Sequence, residues 1–354
     1  MGVPKASFNH NHMLKKTLLF ALVSFGLVWT YYWYVRGIKL LLAEEDVQTL
    51  QPYASFAVRL PEKTAAGPRW ESATPLPVEL TAAEAVTLGS SIYVIGGLDA
   101  FGRSVAAVRA FDVLHNSWSD RAPLPKPLQN VAAAAYGGRI YVFGGFAGLT
   151  DVPSNSVYIY EASTDSWSSG RKMPQATGAA AAVTVGDAIH VLGGFSQGQS
   201  SDMHYIYDPA LNSWRQADAL ISGRDRSAVL NHDGLIYVFG GRQGSVLYPI
   251  ADTAIYSPGN DSWDDFPHMP VKRANGGVAE VNGQAYLFCG ETATTVIGQV
   301  DALDFENRSW SQALPMPTPR QGCAVASYGG RIFVIGGGRK PVLSVSSLNE
   351  VFVP

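Results

Sequence analysis

Six tryptophans recur along the chain at a nearly constant interval. Trp70, Trp118, Trp167, Trp214, Trp263 and Trp310 lie 48, 49, 47, 49 and 47 residues apart. A second marker takes the same steps: Gly96-Gly97, Gly144-Gly145, Gly193-Gly194, Gly240-Gly241, Cys289-Gly290 and Gly336-Gly337. Two independent markers on one period mean one structural unit copied in tandem. Three residues before each pair stands a ring, namely Tyr93, Tyr141, His190, Tyr237, Tyr286 or Phe333. Seven before the tryptophan stands Phe111, Tyr160, Tyr207, Tyr256 or, in the fifth unit, Leu303. Ser precedes five of the six tryptophans, and Pro follows five of them by seven residues.

The spacing within a unit gives its strands. Small apolar runs such as Val131–Tyr136 and Cys323–Ser327 suit an innermost strand crowded about an axis. Turn signals at Gly137-Gly138, Asn282-Gly283 and Gly329-Gly330 lead into a second strand such as Ile140–Phe143. That strand ends at the glycine pair, where the backbone needs positive φ or close approach. A third strand carries the second ring, and a turn such as Asn116-Ser117 leads into a fourth near the tryptophan. Four strands in about 48 residues make one propeller blade, whose faces are buried only by stacked neighbours. A chain with 36 Gly, 21 Pro and only 16% charged residues fits that reading better than helices.

These marks resemble the kelch repeat over residues 68–354, with one departure at Cys289, which replaces the first glycine of its pair. The expected fold is therefore all-β, a six-bladed kelch β-propeller. After the last glycine pair the chain holds one more strand, near Leu348–Val353, and no tryptophan, whereas Trp70 has no strands before it. The segment around Arg69–Ala73 is expected to supply the fourth strand of the last blade, which leaves no open edge.

The N-terminus reads differently. Residues 17 to 35 are a run of 19 without a charge, which as a helix rises about 28 Å, the thickness of a bilayer core. It ends in Trp29, Tyr31, Tyr32, Trp33 and Tyr34, rings suited to the headgroup boundary. Lys5, Lys15 and Lys16 precede it, and Arg36 and Lys39 follow with Glu44, Glu45 and Asp46 close behind. That balance favours the N-terminus inside and the propeller outside. The expected organisation is a cytoplasmic leader (1–16), one transmembrane signal-anchor helix (17–36), a linker (37–67) and the propeller (68–354). A cleaved signal peptide is the competing reading, but no small-x-small site follows promptly, and the nearest candidate, Ala43, has Leu41 two positions before it. Met13-Leu-Lys-Lys is a natural second start, and the short basic leader points to a bacterial chain with its propeller in the periplasm. Two cysteines are too few for a disulfide framework or a cysteine zinc site, and they leave the redox compartment unread. A net charge of −3 gives no reason to expect nucleic acid.

Tight turns join first strand to second and third to fourth, so the longer connections share the other face, where function is expected. On blades one to three that face offers Asp99, Gln129, Asn130, Phe146, Thr177 and Phe195. On blades four to six it gathers arginine: Arg226, Arg242, Arg273, Arg320 and Arg339, with Glu291 among them. Guanidinium forks match carboxylate or phosphate, so these six residues are the expected binding set for an anionic small molecule or an acidic loop of a protein partner. The plainer reading of Arg273 and Arg320 is that they satisfy turn carbonyls between blades.

The leading expectation is a ligand- or protein-binding module without catalysis, cofactor or metal, a purely structural subunit of an envelope complex being a further reading. The alternative is a mutarotase or epimerase acting on an anionic sugar such as sialic acid. Gly290-Glu291 is similar to the Gly-Glu of bacterial kelch-type sialic-acid mutarotases, which would make Glu291 the acid or base. The loop that follows departs from that pattern, with Thr294, Thr295 and Ile297 where an arginine is expected. Kelch copper oxidases need His pairs with Tyr and Cys at the axis. Here His10 and His12 precede the anchor, His190 replaces a repeat tyrosine, and His115, His204, His232 and His268 read as scattered. Asn260-Asp-Ser262 and Asn307-Arg-Ser309 match a glycosylation acceptor, yet both fall in the repeat's own turn.

Overall fold

A computed structural model describes residues 67–148, 151–245 and 247–354. The leader, the apolar run expected to be an anchor and all but the last residue of the linker lie outside the described residues. Among the described residues, no helix is long and apolar enough to cross a membrane.

Six four-stranded antiparallel sheets form six blades. Blade one is Glu84–Leu88, Ser91–Ile95, Val108–Asp112 and Ser117–Arg121. Blade two is Ala132–Tyr136, Arg139–Phe143, Val157–Glu161 and Ser166–Ser169. Blade three is Ala181–Val185, Ala188–Leu192, His204–Asp208 and Ser213–Gln216. Blade four is Ala228–His232, Leu235–Phe239, Thr253–Ser257 and Ser262–Phe266. Blade five is Ala274–Val281, Gln284–Glu291, Asp301–Asp304 and Ser309–Gln312. Blade six is Ala324–Tyr328, Arg331–Ile335, Asn349–Val353 and, outermost, Arg69–Ser72, with Trp70 opposite Phe352.

The second strand of each blade has neighbours on both faces, so its apolar residues run on without alternation, as in Ile140–Phe143. The core is correspondingly divided among the seams. Val86, Tyr93 and Ala110 of blade one meet Ala133, Ile140 and Tyr160 of blade two, and five similar clusters fill the other seams. Each tryptophan indole N–H donates to a carbonyl across a seam: Trp118 to Thr74, Trp167 to Ala122, Trp214 to Arg171, Trp263 to Asp218, Trp310 to Pro267 and Trp70 to Leu314. The ring seven residues earlier packs on the indole, as Tyr160 does on Trp167 at 5.0 Å between centroids. The two recurring aromatics are thus one seam device.

The axis is closed by backbone alone. Ala82 N–H donates to Gly322 O, Gly322 to Asn275, Asn275 to Arg226, Arg226 to Ala179, Ala179 to Asn130, and Asn130 back to Ala82. All six residues hold φ between 47° and 61°. A left-handed φ costs an ordinary residue about 1–2 kcal/mol, and each bond returns about 1 kcal/mol, so the neighbouring seams hold the ring shut as much as the ring holds them. One layer outward, the second glycine of each pair donates to the next blade: Gly97 to Leu128, Gly145 to Thr177, Gly194 to Arg224, Gly241 to Arg273, Gly290 to Arg320 and Gly337 to Leu80. The first glycine leaves that carbonyl its space, since a Cβ on Gly96 would stand 2.4 Å from Leu128 O.

Cys289 is the exception at that position, with φ of 58°. Its side chain crosses the seam and is bonded to Cys323 of blade six. The two cysteines, which the sequence offered no reason to pair, therefore form a bond between the second strand of blade five and the residue that leads into the innermost strand of blade six. The residue that breaks the glycine pattern does so to make a covalent seam.

The bond spans 34 residues, so chain entropy assigns it about 3–4 kcal/mol. Urea unfolding of Cys323→Ala should show a loss of that order. Cys289→Gly/Cys323→Ala should recover about 1 kcal/mol of it, because glycine removes the left-handed cost. Equal stability of the two variants contradicts the account.

Candidate functional site

The repeat sorts the long-loop face into columns, and the expected site residues fall into three of them. Arg224, Arg273 and Arg320 take the position that Leu80, Leu128 and Thr177 hold in the other blades. Each turns into a seam. Arg273 is 3% exposed, donates to the carbonyls of Leu287, Cys289 and Gln299, and is bonded to the Asp301 carboxylate. Arg320 is 0% exposed, donates to Gly336 O and Val334 O, and pairs with Glu350 at 2.8 Å. Burial pulls both guanidiniums below the usual arginine value, opposed by those carboxylates. Arg273 and Arg320 thus satisfy carbonyls, as the plainer reading had it, but those of the blade each leads into, together with one of that blade's carboxylates.

Arg226 and Arg242 do stand at the axial opening, but on a shared carboxylate. Asp225, whose side chain is wholly buried, accepts from Arg226 Nη1 at 3.0 Å and Arg242 Nε at 2.8 Å, and Ser200 Oγ donates to its other oxygen at 2.6 Å. Glu291 is likewise held. Its Oε1 accepts from Asn275 Nδ2 at 2.5 Å and its Oε2 from the Val342 N–H at 3.1 Å, which latches the blade-six loop to blade five. A carboxylate gripped on both oxygens is poorly placed to carry a proton to a substrate. Arg339 stays exposed at the loop tip, where its N–H donates to Ser344 Oγ.

Two carboxyl groups that sequence reasoning did not single out complete the opening. Asp151 accepts from Gln129 Nε2 at 2.5 Å, and Gln129 Oε1 accepts from Asn130 Nδ2 at 3.1 Å. Burial raises Asp151, while Arg226 and Arg242 oppose the shift. Glu84 begins the innermost strand of blade one and is half-buried. Its column is otherwise Ala132, Ala181, Ala228, Gly277 and Ala324, so the repeat alignment itself marks it as foreign. It lines a cavity of about 70 Å³ on the axis with Asn130, Arg226 and Asn275. Burial pushes its carboxyl to about 7, offset by the Ala85 N–H, and no cation pairs with it among the described residues. About the opening, Glu84, Asp151, Asp225 and Glu291 stand against Arg226 and Arg242, so the arginine excess read from the sequence does not reach the axis.

A loop rim surrounds this centre. Phe101, Val152, Leu247, Tyr248 and Val342 sit in second-to-third-strand connections of blades one, two, four and six and expose large apolar surfaces. Phe146 and Phe195 pack at 6.4 Å between them, over Gly178, where a Cβ would meet the Phe146 ring at 2.6 Å. Among the described residues, no group of three His, Cys, Asp or Glu could hold a metal ion.

The matches to known proteins agree with this architecture. A family model described as the KLHDC2/KLHL20/DRC7 Kelch-repeats domain matches residues 54–219, and one described as the Kelch motif matches residues 223–270. The chain is 26% identical over 156 residues to Kelch-like protein 40 of Xenopus laevis, covering 44% of this chain and 25% of that one. It is 28% identical over 159 residues to Beta-scruin of Limulus polyphemus, covering 41% and 17%. The matched part is therefore a quarter or less of those relatives' length. The solved structure of YjhT superposes with a TM-score of 0.69 at 15% identity, covering 78% of this chain and 95% of that one, a likeness of fold.

His204, read as scattered, is in fact joined to His190, the residue that replaces a repeat tyrosine. His190 and His204 lie on adjacent strands of blade three, with His190 Nδ1 and His204 Nε2 2.8 Å apart. His204 Nδ1 faces the Asp218 carbonyl, an acceptor only, so it carries a proton and leaves Nε2 to accept from His190. The pair fills the seam against Tyr256, 4.5 Å from His204 between centroids. Burial first, then His204 itself, lowers His190 to about 3, and burial lowers His204 to about 4. In the unfolded chain both titrate near about 6.5, so acid loads the unfolded state with up to two protons that the folded state refuses. Stability should be level in this respect above about pH 6.5 and fall steadily toward pH 4. Restoring the repeat residues as His190→Tyr/His204→Val should flatten that fall in thermal melts, and an unchanged slope contradicts it.

Proposed function

Because the chain belongs to the kelch-repeat propeller family, we propose that it is a membrane-anchored binding module whose long-loop face docks a partner protein on the extracytoplasmic side. The observation that carries the docking is the rim of Phe101, Val152, Leu247, Tyr248 and Val342 around a charged, hydrogen-bonded centre. Apolar anchors beside a polar network are what protein interfaces use, aromatic residues above all. The Cys289–Cys323 bond supports an oxidising compartment, and the uncharged run at 17–35 supports an anchor.

The two faces supply their own control. Phe101 (74% exposed) and Tyr248 (61%) belong to the long-loop face, whereas Leu114 (64%) and Leu211 (74%) sit in tight turns of the other. A photo-crosslinking residue placed singly at each position in intact cells should give a discrete protein adduct from 101 and 248, and none from 114 and 211. Protease added from outside the inner membrane should reach the propeller. Adducts from both faces alike, or a propeller protected until the cytoplasm is opened, would overturn the reading.

A further inference from the structure

Apart from the Arg226 guanidinium, the axial cavity presents chiefly side-chain acceptors, and the reason lies in the amides that line it. The Asp151 carboxylate can only accept, so the Gln129 group facing it is the NH2 and Gln129 presents its oxygen to Asn130. Asn130 must answer with its own NH2. Glu291 fixes Asn275 in the same sense, through Nδ2. Both relays leave an amide oxygen over, and neither Asn130 Oδ1 nor Asn275 Oδ1 accepts a hydrogen bond among the described residues. Glu84 adds a carboxyl with one oxygen on the Ala85 N–H and the other without a partner among the described residues. These three residues come from blades two, five and one and line the same cavity. The carbonyls of the axial ring are already engaged, and Ser227 donates to Gly240 O. The one cation in the lining is Arg226, which shares buried Asp225 with Arg242, and the remaining positive charge of that trio is faced by Asp151 and Glu291.

The geometry points to the axial cavity as a site for a primary ammonium group, its three N–H donors taken by Glu84, Asn130 Oδ1 and Asn275 Oδ1. The ammonium has three donors and no acceptor, which is the complement of these three acceptors. A cavity of about 70 Å³ is roughly two water molecules' share of liquid volume, enough for the head and the first methylene. The assignment rests on the reading of the long-loop face as the binding face, because the cavity opens among those loops. It supplies that face with a chemical preference: a lysine side chain of a partner, or a free alkylamine.

Binding is coupled to a proton. Glu84 must be ionised, and the other charged groups about it are Arg226 and Arg242 sharing Asp225, Glu291 behind Asn275, and Asp151 behind Gln129. With Glu84 near 7, its carboxylate fraction rises from about a tenth at pH 6 to about nine tenths at pH 8, while an alkylamine stays protonated throughout.

The test is calorimetric titration of the full chain, in an amine-free buffer, with n-butylamine, with Nα-acetyl-lysine methylamide and with n-butanol. Both amines should bind at one site, about tenfold more tightly at pH 8 than at pH 6, and n-butanol should not. Glu84→Ala installs the residue four other blades carry at that position, so it should fold normally, lose at least about tenfold in affinity and lose the pH slope. Equal affinity for the two amines assigns the site to free amines, and tighter binding of the lysine derivative assigns it to a partner's lysine. Binding of n-butanol, no binding of either amine, or Glu84→Ala behaving as the parent overturns the proposal. Failure here with crosslinks from 101 and 248 intact removes the ammonium site alone. Amine binding without those crosslinks removes the docking reading alone.

Discussion

A closed circuit of six backbone hydrogen bonds through Ala82, Asn130, Ala179, Arg226, Asn275 and Gly322 is what the rest of the molecule is arranged around. Each bond crosses from one blade to the next, and the circuit needs all six blades and the left-handed backbone at each. Because it uses only main chain, it places no demand on the side chains, beyond tolerance of that φ. Those side chains are therefore free to differ, and they do: two alanines, a glycine, two asparagines and an arginine. The most symmetric feature of the fold is thus the one that permits an asymmetric opening.

That asymmetry has two uses. In the seams of blades four to six, Arg224, Arg273 and Arg320 take the place of Leu80, Leu128 and Thr177 and satisfy carbonyls and carboxylates that an apolar side chain would leave to themselves. A buried pair of this kind is weak evidence for added stability, since desolvation offsets most of the attraction, but removing one partner is costly. At the opening, carboxylates instead orient amides. Asp151 and Glu291 contribute less as charges for a ligand than as acceptors that decide which way Gln129, Asn130 and Asn275 face. The disulfide belongs to the same pattern: one position gives up its glycine, and the seam gains a covalent link.

The architecture was legible in the sequence because its determinants repeat. Tryptophan, its partner ring and the glycine pair each answer a requirement that returns once per blade, so periodicity exposes them. The site was legible only in part. Arg226, Arg242 and Glu291 do lie on the long-loop face, but spacing could not show that the first two share Asp225, or that Asn275 and Val342 hold the third. Arg273 and Arg320 gave an impression of positive charge because Asp301 and Glu350, their partners, sit on a strand some thirty residues away. Glu84 was visible in principle, as the one carboxylate in a column of alanine and glycine. His204 was missed because its partner His190 lies across a hairpin whose loop hides their alignment.

Hydrogen exchange at the six ring amides reads out this circuit. The N–H groups of Ala82, Asn130, Ala179, Arg226, Asn275 and Gly322 should open only when the whole propeller unfolds, with one shared free energy and full urea dependence. Exchange of any of them through a local, urea-independent opening, with the others still protected, would contradict it.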